Sequence, residues 1–165
     1  MTAFSISALS AKHDRNKFFC GFEPIDKWCR RNSLSHNDKG QCKVFVATAG
    51  DDIVAGIYSL SIQALPRKKG IKYHLDNVPG IYFDNLGVTE KCRGNKLGTT
   101  MMVDAFHRTI AISQHVGVHC LWLTAIDEAT CEFYRRLGFE RTKPRGRSST
   151  DMFISRKDIE AALAP

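Results

Sequence analysis

The sequence predicts an α/β (α+β) protein, and three stretches carry that reading. Residues 81–89 supply β-prone and apolar side chains at Tyr82, Phe83, Leu86 and Val88, the composition of a strand. A short polar loop holding Gly94 and Gly98 follows, and Met102, Phe106, Thr109 and Ile110 then recur at helical spacing between residues 97 and 113. Residues 118–124 read as a further strand, and a helix start at Asp127 and Glu128 leads into Phe133-Tyr134-Arg135-Arg136-Leu137-Gly138-Phe139-Glu140. Strand, loop, helix, strand and helix thus alternate along this half of the chain.

In chain order, residues 3–9 alternate apolar and polar with period two, as a half-buried strand does. Residues 12–21 form a polar connector, in which His13 is read as structural. Pro24 suits the first turn of a helix, where its fixed φ and missing N–H cost nothing. Ile25, Trp28 and Cys29 give that helix an apolar side, with Lys27, Arg30 and Arg31 facing away. Residues 41–48 and 52–63 read as two strands around the turn Ala49-Gly50-Asp51-Asp52, a hairpin. Pro66-Arg67-Lys68-Lys69-Gly70 and Lys72 make a basic loop followed by Tyr73 and His74. Cations beside aromatic rings suit a nucleic acid through charge and stacking, although no single residue there is assigned a role. Arg141, Lys143, Arg145 and Arg147 come before Asp151 with no acid among them, and Pro144, Gly146 and the serines make this stretch a loop. Residues 152–154 form a last strand and residues 158–163 a terminal helix.

Composition bounds the rest. A chain of 165 residues, 43% hydrophobic and 25% charged, is expected to form one domain, residues 1–165, with a sizeable core. No apolar run approaches the ~20 residues that span a bilayer, and the N-terminus lacks the basic and apolar regions of a signal peptide, so a cytoplasmic, membrane-free protein is expected. The six cysteines show no C-x-x-C pair, which favours reduced thiols over disulfides or a metal. No His, Cys and Asp cluster has metal-ligand spacing, and none of His107, His115 and His119 falls in a catalytic constellation. The formal net charge of +7 favours an anionic partner, with coenzyme A and nucleic acid both qualifying.

The polar loop precedes a helix whose first N–H groups lack intrahelical partners and whose dipole favours negative charge, a ready phosphate site. Arg93-Gly94-Asn95-Lys96-Leu97-Gly98 is neither the G-x-G-x-x-G fingerprint nor a P-loop, and by itself it also fits an ordinary strand-to-helix turn. Joined to the later Phe-Tyr-x-x-x-Gly-Phe, the order of elements resembles the GNAT family of acetyl-CoA-dependent N-acetyltransferases over roughly residues 53–153. Further upstream, His13-Asp14-Arg15, Phe19-Cys20-Gly21, the helix through Trp28, and Val44-Phe45-Val46 leading into residues 53–60 resemble the opening of GNAT-type toxins of bacterial type II toxin–antitoxin modules.

The resemblance implies a central mixed, mostly antiparallel sheet with splayed strands and helices on both faces. The splayed pair falls on residues 81–89 and 118–125, where the pantetheine arm of acetyl-CoA, the co-substrate, pairs with backbone as an added strand. It implies an oxyanion donor at the backbone of Gly87 or Val88, and a pyrophosphate cradle at Arg93, Gly94, Asn95, Lys96, Leu97, Gly98 and Thr99. Tyr134 is implied as the general acid: a phenol, with a reference pKa of ~10, is protonated at neutral pH and can donate to the departing sulfur. Its neighbour Phe133 is expected to take the core role, since adjacent helical residues point apart. Lys96 departs from the family at a position where glycine is common. Thr89 and Thr124 stand where the toxin subfamily often has Asp, so neither is assigned as a carboxylate base.

No strong base appears elsewhere, which suits an α-amino acceptor, pKa ~8, better than a lysine, pKa ~10.4. The resemblance likewise implies the α-amine of aminoacyl-tRNA as acceptor, arrest of translation, a homodimer and a DNA-binding antitoxin. Arg30, Arg31, Lys143, Arg145 and Arg147 are the RNA-contact candidates. Two other classes compete: a housekeeping GNAT acting on a small amine or a protein N-terminus, and a non-catalytic RNA- or CoA-binding module.

Overall fold

The elements follow in the order β1 (Ser5–Ala8), α1 (Glu23–Arg31), α2 (Ser33–Asp38), β2 (Lys43–Thr48), β3 (Gly56–Ile62), β4 (Leu65–Pro66), β5 (Asn77–Val78), β6 (Gly80–Val88), α3 (Leu97–Ser113), β7 (Cys120–Thr124), α4 (Glu128–Arg136), β8 (Glu140–Arg141), β9 (Asp151–Ser155) and α5 (Arg156–Leu163). Single 3-10 turns lie at Arg67–Lys69, Glu90–Cys92 and Pro144–Gly146. The computed structural model describes residues 2–147 and 149–165; Met1, and Ser148 of the basic loop, lie outside the described residues. The chain divides into two compact units, one running to Ser61 and including Asp84–Ala105, the other made of Ile62–Phe83 and Phe106–Pro165. Strand β6 and helix α3 run through both.

In the first unit the strand order is β1-β2-β3-β6. The hairpin read from the sequence forms as expected, β2 pairing antiparallel with β3 through Val44↔Ser59, Val46↔Ile57 and Ala47↔Gly56. Side chains alternate across a strand, so Val44, Val46 and Ile57 share one face while Gly56 and Tyr58 share the other. The first face meets Phe18, Cys20, Ile25 and Cys29 in one apolar core, with Trp28 packed against it. The second face meets α3: a Cβ on Gly56 would fall 2.5 Å from Met101 Sδ, and the Tyr58 hydroxyl donates to Asp104 at 2.5 Å. Helices therefore cover both faces here. Helix α1 starts where Pro24 permits, and its buried Asp26 accepts the N–H of Cys20 at 2.7 Å and Gly21 at 3.2 Å, fixing the preceding connector. Helix α2 was not anticipated, because Ser33-Leu-Ser-His-Asn-Asp38 is rich in residues whose side chains compete for backbone hydrogen bonds.

In the second unit the order is β6-β7-β9-β8. Strand β6 pairs parallel with β7 from Gly80↔Cys120 to Tyr82↔Trp122, and that ladder ends there although β6 continues to Val88. Strand β9 pairs antiparallel with both β7 and β8, so the seven-stranded sheet mixes the parallel β6–β7 pairing with antiparallel ones. The short β4–β5 pair was also unforeseen, two-residue strands being too brief to show a period. Leu65 and Val78 from that pair bury with Cys120 and Trp122, and the Trp122 indole donates to Gln63 O at 2.8 Å.

Met102, Phe106 and Thr109 are buried on α3 as their spacing requires, Ile110 is half-buried, and His107 faces solvent. All six cysteines are free thiols. Burial pushes Cys29 and Cys120 up to about 12 and Cys20 up to about 11, which keeps them protonated and unreactive at neutral pH. No helix among the described residues is long and apolar enough to cross a membrane.

Candidate functional site

The loop between β6 and α3 is built by its backbone. Gly94 has φ 83° and Lys96 φ 56°, both left-handed, on either side of Asn95, whose side chain donates to Cys92 O at 3.1 Å. This explains why glycine suits the position of Lys96: a Cβ in that conformation costs roughly 1–2 kcal/mol. A Cβ at Gly94 would meet no atom within 4 Å, so the loop is open to a ligand at that point. Lys96 O accepts the N–H and hydroxyl of Thr100, starting α3, and Leu97 is buried beneath the turn. Exposed cations, left-handed backbone and a helix N-terminus together fit a pyrophosphate. Arg93 is partly committed, donating to Cys20 O and lying 3.6 Å from Glu90.

Just before the loop, Gly87 is buried where a Cβ would crowd Ile25 and Phe18 at 3.0 and 3.1 Å, and Val88 is half-buried. The Thr89 N–H bonds Ala55 O at 2.8 Å and its hydroxyl donates to Phe19 O at 3.2 Å. In the other unit Thr124 donates to Asp151 at 2.7 Å. Both threonine hydroxyls are engaged in hydrogen bonds within their own units.

Helix α4 carries Tyr134. Asp127 caps it, accepting the Thr130 N–H at 2.7 Å, and the chain leaves it at Gly138 with N–H bonds from Gly138 to Arg135 O and from Phe139 to Tyr134 O. The expectation that Phe133 takes the core role is corrected here: Tyr134 is 6% exposed, whereas Phe133 is half-buried. The cause lies outside the helix. Phe83 of β6 and Phe139 beyond the helix converge on the Tyr134 ring edge-on, with centroids at 6.4 and 5.6 Å, and Phe133 flanks it at 5.1 Å. Three rings fix the phenol's direction, the kind of positioning a proton donor needs.

The basic loops of the second unit lie together. A Cβ at Gly70 would stand 2.5 Å from Lys143 O, so glycine lets the 67–70 turn sit against the 143–147 segment. Arg67 pairs with Asp76 at 2.7 Å, Lys69 with Asp151 at 2.8 Å and Arg141 with Glu128 at 2.5 Å. Lys68, Lys143, Arg145 and Arg147 are exposed, and no ion pair engages them among the described residues. In the first unit Arg30 donates to Phe18 O at 2.7 Å, tying it to the fold, while Arg31 is exposed. His13 is buried, with Nδ1 accepting the Ser10 N–H at 3.0 Å, a structural histidine as read.

Asp84 was missed. It stands on β6 just before Asn85, whose φ of 59° interrupts the strand. Solvent reaches Asp84, yet surrounding protein desolvates its carboxyl enough to raise it above the ordinary aspartate value. In the sequence Asp84 and Asn85 stand within a stretch read as one strand, and nothing local to them signals that environment. Among the described residues no group of three or more His, Cys, Asp or Glu side chains is placed to hold a metal.

Comparison with known proteins finds relatives by sequence and by fold. The tRNA-acetylating toxin of Mycobacterium tuberculosis is 26% identical over 136 residues, covering 80% of this chain and 81% of the relative. The structure of AtaT complexed with acetyl-methionyl-tRNAfMet superposes with a TM-score of 0.89 at 21% identity, covering 98% of this chain and 100% of that one. A tyrosine-to-phenylalanine mutant of AtaT, bound to acetyl-CoA and the C-terminus of the antitoxin AtaR, superposes with a TM-score of 0.83 at 21% identity, covering 98% of each chain. The family model described as an acetyltransferase (GNAT) domain matches residues 40–141, well over half the sequence. With that match laid over β2 through β8, the chain belongs to the GNAT family and is an acetyl-CoA-dependent N-acetyltransferase.

Proposed function

We propose that this enzyme transfers acetyl from acetyl-CoA to the α-amino group of aminoacyl-tRNA, arresting translation as the toxin of a toxin–antitoxin pair. The observation that carries the reading is the pair of adjoining basic loops, where Lys68, Lys143, Arg145 and Arg147 are exposed without ion-pair partners among the described residues. Cations left uncompensated on one surface are what phosphate backbones recruit, with release of counterions. The tRNA substrates of the relatives agree with it.

In this reading the backbone and cations of residues 93–99 hold the pyrophosphate, and β6 beyond Tyr82 offers backbone to pantetheine. The N–H of Gly87 or Val88 polarises the thioester carbonyl. The Tyr134 phenol, aimed by its three aromatic neighbours, protonates the departing sulfur. We take the chain as one cytoplasmic acetyltransferase domain working as a homodimer, restrained by a DNA-binding antitoxin that covers the basic surface. Exposed Ile62 and Val116, lining one apolar groove with Ile81 and Val118, suit contact with a second copy.

A cell-free translation reaction tests the reading. Enzyme with acetyl-CoA is expected to halt synthesis, enzyme without acetyl-CoA to leave it running, and fresh charged tRNA to restore it after the enzyme is removed. Synthesis unaffected by enzyme and acetyl-CoA together would favour a housekeeping acetyltransferase.

A further inference from the structure

We propose that the concavity between Tyr73, His119 and the start of α5 receives an unpaired nucleotide of the tRNA, its base stacked on the Tyr73 ring and its phosphate on Lys157. The inference rests on the proposed aminoacyl-tRNA reading and names a contact beyond the adjoining basic loops, one that selects a single-stranded part of the RNA.

The concavity is built entirely within the second unit. Its volume of about 480 Å³ falls within the ~300–1,000 Å³ of small-ligand clefts. Tyr73, Pro79 and His119 line it together with Ser155, Arg156 and Lys157 at the start of α5. Main-chain bonds tie those segments to one another: the His119 N–H donates to Pro79 O at 2.8 Å, and the Arg156 N–H to His119 O at 2.7 Å. Segments distant in the chain therefore share one framework. Gly117 also lines the concavity, and a Cβ there would meet no atom within 4 Å, so that part of the lining is open.

The Tyr73 ring is braced from several directions. The rings of His74 and His119 stand against it with centroids at 4.6 and 4.8 Å, tilted by 41° and 51°, and its half-buried side packs on Leu65, Val78, Cys120 and Trp122. A fixed aromatic ring that stays partly open to a cleft is a stacking surface, since every nucleobase has a π-face. Cations complete the chemistry. Arg156 is already engaged by Glu160, whereas Lys157 is exposed and no ion pair engages it among the described residues, which leaves Lys157 for a phosphate. Placement supplies the partner. Tyr73 belongs to the same connection between β4 and β5 as the basic turn: Arg67 Nη1 donates to Tyr73 O at 3.4 Å, and Gly70 brings that turn against the Lys143 backbone. An RNA lying on Lys68 and Lys143 is thus led toward the concavity. The site stands where β7 begins, at the Gly80↔Cys120 start of its ladder with β6, away from the β6 backbone proposed for pantetheine. The base it takes must be unpaired, because a duplex hides its base faces in the stack, whereas loops and ends display them.

Equilibrium binding to total charged tRNA separates stacking from charge. Tyr73→Phe keeps the π-face and should bind within about threefold of wild type, whereas Tyr73→Leu keeps bulk without the face and should bind about 10- to 10²-fold more weakly. The slope of log affinity against log salt should be unchanged in Tyr73→Leu and shallower by about one in Lys157→Gln, since only the latter removes a phosphate contact. Ultraviolet irradiation of the wild-type complex should crosslink RNA to Tyr73, located by mass spectrometry. Wild-type affinity in Tyr73→Leu overturns the proposal, as do equal losses in Tyr73→Phe and Tyr73→Leu. The crosslink needs no variant, so RNA attached elsewhere and never at Tyr73 overturns it even if Tyr73→Leu fails to fold. If wild type does not bind charged tRNA, the tRNA reading fails by itself, and a short single-stranded RNA and its duplex then decide the concavity separately. A preference for the single strand that Tyr73→Leu abolishes supports the site, and equal affinity for both forms overturns it. A nucleoside monophosphate binding as tightly as the single strand would give the concavity to a free nucleotide and overturn the RNA assignment.

Discussion

A phenol buried by three aromatic rings makes an unusually clean target for removal of one hydroxyl. Tyr134→Phe keeps every ring contact, so it should preserve the denaturation midpoint and acetyl-CoA affinity while kcat falls about 10²–10⁴-fold. A variant that turns over at the wild-type rate would leave Tyr134 a packing residue. Lys96 offers the opposite test. Its left-handed φ strains a side-chain-bearing residue, so Lys96→Gly should raise stability in urea by up to ~1 kcal/mol, once glycine's extra chain entropy offsets part of the relief. An unchanged or lower midpoint would show that the lysine side chain stabilises the turn. The sequence marked Tyr134 but misjudged its burial, because Phe83 and Phe139 reach the ring from outside the helical pattern. The surroundings of Asp84 were illegible for a related reason: Ser59, which donates to its backbone carbonyl, lies far away in the chain.

Among the elements, those with local signals were legible. The Gly-bearing loop and α3, the hairpin β2–β3, and α4 with its Asp127 cap each announce themselves within a window of a dozen residues. Helix α2 and the β4–β5 pair do not, since each is short and held by packing more than by propensity. The adjacency of the two basic loops was equally hidden, depending on Gly70 meeting the Lys143 backbone across seventy residues of chain. For the loop before α3, Gly98→Asp places bulk and negative charge in the first turn of the helix, where the pyrophosphate is proposed to sit. Acetyl-CoA binding by calorimetry should disappear with the fold intact. Wild-type affinity in that variant would move the phosphate site elsewhere.

The whole molecule carries a charge of +7, and its distribution decides what that charge does. Arg145→Glu combined with Arg147→Glu reverses two exposed cations, so use of charged tRNA should weaken strongly while acetyl-CoA binding is spared. Raising salt should slow acetylation of charged tRNA far more than any acetylation of a small amine, because only the former releases counterions from a phosphate backbone. Equal salt sensitivity for both would argue against an RNA surface. The central claim is the chemical identity of the acceptor, and one measurement reads it directly. Purified enzyme is incubated with labelled acetyl-CoA and total charged tRNA, the RNA is recovered, and mild alkali cleaves the aminoacyl ester. The account predicts label on a subset of tRNAs, released by alkali as N-acetyl amino acid; label found only on proteins or polyamines, with charged tRNA untouched, would contradict it.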